Sequence, residues 1–308
     1  MQREPAMSAD SPCLFAAEPL DRASEKRIHP EWVAERLADA ASVVTPLYKG
    51  DPLVRGDGVA FFSTAAIGEF PREAPIVFLG LKNGAAYFAA DVSAASSPET
   101  APFADLGSYM PLREAAAALD ESDLAIIGQA RWLLDWHRRH RFCANCGAET
   151  GIVDGGAKRQ CPECATEHFP RSDPVAIVIA EHEGACLLGR NPRFPPGFVS
   201  ALAGFVEASE TPEACAIREI REEAGVTLLD ARYQFSQPWP FPSSLMMGFF
   251  ATARDRTLKL DETEIAEAHW IDRADIRAML KGEPRGELRL PPRFTIARRL
   301  LERWAGGA

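Results

Sequence analysis

The stretch that decides the fold is Gly204-Phe-Val-Glu-Ala-Ser-Glu210-Thr-Pro-Glu-Ala-Cys-Ala-Ile-Arg218-Glu219-Ile-Arg-Glu222-Glu223-Ala-Gly225-Val226. Thr211 is a good helix cap, Pro212 suits a first helical position, and Gly225 is a natural stop, so a helix is predicted from Pro212 to Ala224. On that helix Glu219, Glu222 and Glu223 stand at i, i+3 and i+4 and share one face, while Ile217, Ile220 and Ala224 can pack on the other. Three like charges on one face repel and need a compensating cation. Hard carboxylate oxygens suit Mg²⁺ or Mn²⁺, ions that bridge to phosphates. For an arbitrary Glu-rich helix the competing reading is a solvated acidic face.

Outward from this helix, strands are expected at Pro174–Ala180, Cys186–Arg190, Phe198–Gly204, Tyr233–Ser236 and Leu245–Ala251, with a turn at Glu183-Gly184. An amphipathic helix in RFTIARRLLERW turns Ile296, Leu300, Leu301 and Trp304 inward. Residues 171–308 thus read as an α/β domain with a mixed sheet. Residues 1–140 read as an α+β domain. Asn83-Gly84 there marks a two-residue hairpin, and a helix from a Ser122 cap to Arg139 carries Leu124, Ile127, Ala130 and Leu134 on one face. No internal repeat or low-complexity tract is visible.

Residues 141–170 have few large aliphatics and cannot build a core of their own. They contain Cys143, Cys146, Cys161 and Cys164 as C-x2-C-x14-C-x2-C. Two such knuckles complete a tetrahedron of thiolates without an open position, so a structural Zn²⁺ is expected. Rubredoxin-type iron is the rival, because it takes the same ligands. His137, His140 and His168 flank the site, but four sulfurs already satisfy the ion. Three basic against four acidic residues in this segment make a weak footprint for nucleic acid.

The whole chain carries 34 Lys+Arg against 44 Asp+Glu, a formal charge of −10. That balance disfavours bulk binding to polyanions or acidic membranes. It is concentrated in residues 1–140, with 13 basic and 20 acidic residues, whereas 171–308 hold 18 and 20. No apolar run is long enough for a membrane helix. MQREPAMSADSPCLF lacks the basic–apolar–small order of a secretory signal, and seven cysteines, an odd number, argue for a reducing compartment. A cytoplasmic protein without a membrane partner is expected.

The full pattern Gly-x5-Glu-x7-Arg-Glu-apolar-x-Glu-Glu-x-Gly-apolar resembles the motif of the Nudix hydrolases. The resemblance implies an α/β/α sandwich that hydrolyses a nucleoside diphosphate linked to another moiety. It matches Glu219, Glu222 and Glu223 to metal ligands, Arg218 to an arginine that orients carboxylates, and Glu210 to a structural acid. Downstream, Ser236-Gln-Pro-Trp-Pro-Phe-Pro-Ser-Ser244 reads as a stiff loop presenting ring faces, either to stack on a base or to pack beneath the sheet edge. This array, and the order of N-terminal domain, four-cysteine ribbon and Nudix domain, are similar to those of NADH pyrophosphatases.

By that similarity Gln237, Pro238, Trp239, Pro240, Phe241, Pro242, Ser243 and Ser244 form part of a dinucleotide site. Phe205 and Phe169 match stacking aromatics, Phe169 replacing a tyrosine, and Ala203 and Ala297 match further contacts. Glu264 matches a late metal ligand, with Glu262 and Glu267 as rivals. The activity implied is cleavage of NAD(H), as substrate, to NMN(H) and AMP by a homodimer, with Glu223 or Glu264 as the base. The same chemistry would remove NAD caps from RNA, for which the six arginines from Arg285 to Arg303 offer basic surface. The reading from another class is an inactive Nudix domain serving binding or regulation, against which the intact carboxylate set argues.

Overall fold

The computed structural model describes residues 13–306; all but the last three residues of the N-terminal stretch read for a signal lie outside them. The described chain divides into two units. The N-terminal unit spans residues 14–172 together with 239–243, and the C-terminal unit holds Cys13, 173–238 and 244–306.

In the C-terminal unit a six-stranded sheet places Arg232–Trp239, Ser244–Thr252, Asp173–His182, Ala185–Arg190 and Glu267–Asp272 side by side in that order, with Leu202–Phe205 paired to Asp173–His182. The strands are β1 (Asp173–His182), β2 (Ala185–Arg190), β3 (Leu202–Phe205), β4 (Arg232–Trp239), β5 (Ser244–Thr252) and β6 (Glu267–Asp272). β1 and β5 are parallel along their length, and the pairings of β1 with β2 and β3 are antiparallel, so the sheet is mixed. Side chains alternate as the pleat requires. Ile177, Ile179, Cys186, Leu188 and Phe250 enter one core, which helices α2 (Arg273–Leu280) and α3 (Ile296–Gly306) close through Ile276, Met279, Leu300, Leu301 and Trp304. Ala176, Val178, Leu187, Phe249 and Ala251 enter the other, closed by α1 (Pro212–Ala224) through Cys215, Ala216, Ile220 and Ala224. The result is the expected α/β/α sandwich.

Two local expectations change. Of the run 198–204 only residues 202–204 join the sheet as part of a strand, which extends to Phe205. Phe198 and Ser200 make isolated bridges to Arg289 and Gly189, because the stretch passes from one set of partners to another. The array 236–244 is also less of a loop than expected, since Ser236–Trp239 end β4 and Ser244 begins β5.

The N-terminal unit is built on a seven-stranded sheet. At its centre Val43–Tyr48 runs parallel to Ala85–Asp91, and Ile76–Lys82 pairs antiparallel with the latter across the Asn83-Gly84 turn. Both turn residues take positive φ, 53° and 83°, as a two-residue hairpin demands. The helix Glu121–Arg139 buries Leu124, Ile127, Ala130 and Leu134. Its cap is Asp120, whose side chain accepts the Asp123 N–H at 2.7 Å; Ser122 lies inside the first turn and accepts instead from Lys82 Nζ. The ribbon adds three short antiparallel strands, Gly151–Val153, Lys158–Gln160 and Glu167–His168.

Candidate functional site

The acidic helix is terminated as its sequence dictates. Thr211 Oγ1 accepts the Ala214 N–H at 3.2 Å, and Gly225 takes φ 72° with its N–H on Arg221 O. Arg218 is the hub of the site. Its Nε and Nη2 donate to the two oxygens of Glu210, each at 2.8 Å, and its Nη1 donates to Glu219 Oε1 at 2.8 Å and Glu222 Oε2 at 3.0 Å. Nη2 also reaches Phe205 O at 3.0 Å, so every N–H of the guanidinium is used. Hydrogen bonding from Arg218 holds the Glu210 carboxyl down to about 2, and the Arg218 pKa is pushed up in turn. The cation is thereby locked on, and it fixes Glu219 and Glu222 from one side.

Gly204 fixes Glu219 from below. A Cβ on Gly204 would lie 1.8 Å from Glu219 Cδ, so only glycine admits the carboxylate there. Glu223 is different in kind. It is buried, and its Oε2 has no hydrogen-bond partner among the described residues. Burial, with the charges of Glu219 and Glu264 added, pushes its carboxyl up to about 8. The Glu219 pKa is raised too, first by burial, against the lowering effect of Arg218.

Backbone bonds at the end of α1 bring in the late carboxylate. Ala224 O accepts from Lys259 N–H and Glu223 O from Asp261 N–H, while Asp261 O accepts from Glu264 N–H at 3.0 Å. Glu264 is thereby placed where its charge acts on both Glu219 and Glu223. Glu267 is engaged by Arg190, and Glu262 is exposed. Among the described residues only the four cysteines bring three or more metal-ligating atoms all within 4.8 Å of one another. The donor set suits a hard divalent cation, and the unpartnered oxygen of Glu223 is the feature such an ion would satisfy.

Of the residues matched to the dinucleotide site, Ala203, Phe205, Gln237, Pro238, Ser244 and Ala297 belong to the C-terminal unit, and Phe169 and Trp239–Ser243 to the N-terminal one. Phe169 and Phe205 present exposed rings, 62% and 60% accessible. Trp239 and Phe241 rings lie 4.9 Å apart at the tip of the β4–β5 hairpin, which contains a cis Phe241–Pro242 bond. Gln237 is fully buried, with Nε2 donating to Phe294 O at 2.8 Å and Oε1 accepting the Ile296 N–H at 2.7 Å. Both ends of its amide hold the start of α3, and with it Ala297. Nothing in the local sequence signals this use.

The cysteines form two equivalent knuckles. Cys143 O accepts from Gly147 N–H and Cys161 O from Ala165 N–H, and the residue completing each turn has positive φ. Cys143 and Cys164 sulfurs lie 3.7 Å apart, Cys146 and Cys161 sulfurs 3.4 Å. Hydrogen bonds from the Thr166 hydroxyl and N–H hold the Cys164 thiol down to about 5, favouring the ligating thiolate. His168 Nε2 sits 3.3 Å from Cys143 Sγ, outside the sulfur set. His137 is a packing residue: burial pushes its pKa down to about 4, its Nε2 bonds Gly156 O, and Arg159 reaches its Nδ1.

Comparison with known proteins accounts for each segment. Residues 170–291 match the NUDIX domain, 138–169 the NADH pyrophosphatase zinc ribbon domain, and 41–136 the NADH pyrophosphatase-like rudimentary NUDIX domain. An NAD-capped RNA hydrolase (NUDT12) of Macaca fascicularis is 33% identical over 94% of this chain and 72% of its own length. An NAD-capped RNA hydrolase (NudC) of Mycobacterium bovis is 41% identical over 76% of each chain. A NUDIX hydrolase crystal structure from Nitrosomonas europaea aligns with 49% of this chain and 98% of its own, at 24% identity and TM-score 0.40.

Proposed function

The chain belongs to the Nudix hydrolases of the NADH-pyrophosphatase type, and from that premise we propose that it hydrolyses the pyrophosphate of NAD(H), free or carried as a 5′ cap on RNA. Water adds across one P–O bond of the bridge, and NMN(H) and AMP, or NMN and 5′-monophosphate RNA, leave. The names of the relatives favour the capped substrate beside the free one. The observation that carries the reading is the cluster of Glu219, Glu223 and Glu264, with a buried, unpartnered Glu223 oxygen, beside an arginine-locked wall. Clustered carboxylates at that cost mark a working site rather than a binding surface with a silent domain.

In this reading Glu219, Glu222, Glu223 and Glu264 hold Mg²⁺ or Mn²⁺. Such ions neutralise phosphate oxygens and acidify the attacking water. Arg218 keeps Glu219 and Glu222 aimed. Of the two candidate bases, Glu223 is buried and Glu264 exposed. The proton of the attacking water goes to Glu223 or Glu264, through a carboxylate oxygen that does not hold the ion. The dinucleotide contacts assigned to 237–244, Phe169, Phe205, Ala203 and Ala297 are carried over from the family likeness. Zn²⁺ on the four cysteines is structural.

The working division is 1–140, 141–170 and 171–308. A homodimer is carried over from the family likeness, and a cytoplasmic location rests on the thiol chemistry. No helix among the described residues is long and apolar enough to cross a membrane. The test compares kcat/KM for NADH, NAD⁺, ADP-ribose, diadenosine polyphosphates and NAD-capped RNA in Mg²⁺ or Mn²⁺. Absence of cleavage of every NAD-containing compound would overturn the reading.

A further inference from the structure

Two guanidinium groups pack over the ring of Phe241, Arg113 at 4.7 Å and Arg131 at 5.0 Å from its centroid, and Arg113 also covers Trp239 at 5.7 Å. The two arginines use their donors differently. Arg131 Nε donates to Pro240 O at 2.8 Å, and its Nη1 donates to Gly50 O at 2.9 Å and to Asp51 Oδ1 at 3.0 Å. It is neutralised and pins the turn. Arg113 stands exposed on the single helical turn Leu112–Ala115, and its guanidinium has no hydrogen bond or ion pair within the described residues.

Stacking on a ring occupies the faces of a guanidinium and leaves its N–H edge open. The rings hold that edge in place, so little side-chain freedom remains to be lost when an anion arrives. The surrounding segment is acidic, with 13 basic and 20 acidic residues over 1–140. An unneutralised arginine packed over the rings of the hairpin therefore stands out from its setting. The scissile pyrophosphate is drawn by the carboxylate cluster and its cations, so the anion left for Arg113 is a further phosphate.

We infer that Arg113 is a specificity-determining residue that binds a phosphate on the ribose beyond the scissile pyrophosphate. That phosphate is either the 3′-linked phosphodiester of an RNA body or the 2′-phosphate of an NADP-type dinucleotide. The inference rests on reading the hairpin as the dinucleotide site.

Wild type, Arg113→Ala and Arg113→Lys are compared in kcat/KM for NADH, NADPH and an NAD-capped oligoribonucleotide. Binding of the last two is measured against salt concentration in divalent-free buffer. In Arg113→Ala the kcat/KM ratio of the phosphate-bearing substrate to NADH falls about tenfold, and whether capped RNA or NADPH shows the fall identifies the source. For a polymeric ligand the slope of log affinity against log salt drops by about one, and Arg113→Lys restores the slope while recovering only part of the ratio. Equal losses on all three substrates would assign Arg113 to packing of the hairpin and overturn the inference, as would no loss on any. If wild type binds these ligands and cleaves none, the hydrolytic reading fails, and the binding slopes still decide the role of Arg113.

Discussion

Glu223 makes the stability of this protein depend on pH in the direction opposite to that of an ordinary paired carboxylate. Its pKa in the folded chain is about 8 against an ordinary 4.5, because burial, then Glu219 and Glu264, disfavour the anion. Between those two values the folded state holds a proton that the unfolded state has released. Stability from this group is therefore fully present below pH 4.5 and is lost as pH rises through about 8. At roughly 1.4 kcal/mol per pH unit the full span is worth about 5 kcal/mol. Between about pH 6 and pH 8, the part of the span that the assay samples, the loss is about 2–3 kcal/mol at most.

The assay is urea denaturation of zinc-loaded protein in buffer free of other divalent ions, at about pH 6 and about pH 9. Wild type should lose midpoint concentration on going to the higher pH. Glu223→Gln, which removes the titration and keeps the shape, should lose less and be the more stable protein at the higher pH, while losing turnover. Added Mg²⁺ should stabilise wild type more at the higher pH, where the ion no longer competes with a proton. Parallel pH dependence in the two proteins would refute the argument, since it would show that Glu223 is ionised or solvated in the folded chain.

Gly204→Ala should force Glu219 out of its place, because the new Cβ would lie 1.8 Å from Glu219 Cδ; a loss of about 1–3 kcal/mol in thermal unfolding and of most activity is expected, and an unchanged Tm would contradict the geometry. Arg218→Lys keeps a charge but cannot serve Glu210, Glu219, Glu222 and Phe205 O together. It should lower kcat at least tenfold with little change in KM for NADH, by the logic of about 1.4 kcal/mol per decade. Cys143→Ser should release the zinc measured by elemental analysis and destabilise residues 141–170, whereas full retention of zinc would remove Cys143 from the ligand set.

The parts of this protein visible in the sequence are those whose physics is local. Helix caps act within a turn, so the residue types of Thr211, Pro212 and Gly225 are enough to mark both ends of the acidic helix. The cysteine knuckles close within a few residues, and strand alternation from Ile177 to Ala180 needs only the pleat. What escaped was decided by pairings between distant residues. Glu262, Glu264 and Glu267 look alike in sequence; the backbone bonds from Lys259 and Asp261 to the end of the acidic helix direct Glu264 to the cluster, and Arg190 takes Glu267 away from it.

Gln237 was legible as part of an array but not as a clamp, because its partners at Phe294 and Ile296 lie more than fifty residues on. The relation of residues 41–136 to a NUDIX domain was hidden for a similar reason. That segment shares with the C-terminal unit a central parallel pair, Val43–Tyr48 beside Ala85–Asp91 in one and Asp173–His182 beside Ser244–Thr252 in the other. It carries no glutamate helix. A sheet can keep its topology on any alternating apolar residues, so architecture outlasts sequence likeness; a metal-binding face cannot, since each carboxylate must stand at a fixed angle on the helix. The sequence motif therefore marks where the chemistry is placed, while the repeat of architecture carries no motif and is seen in the strand pairing.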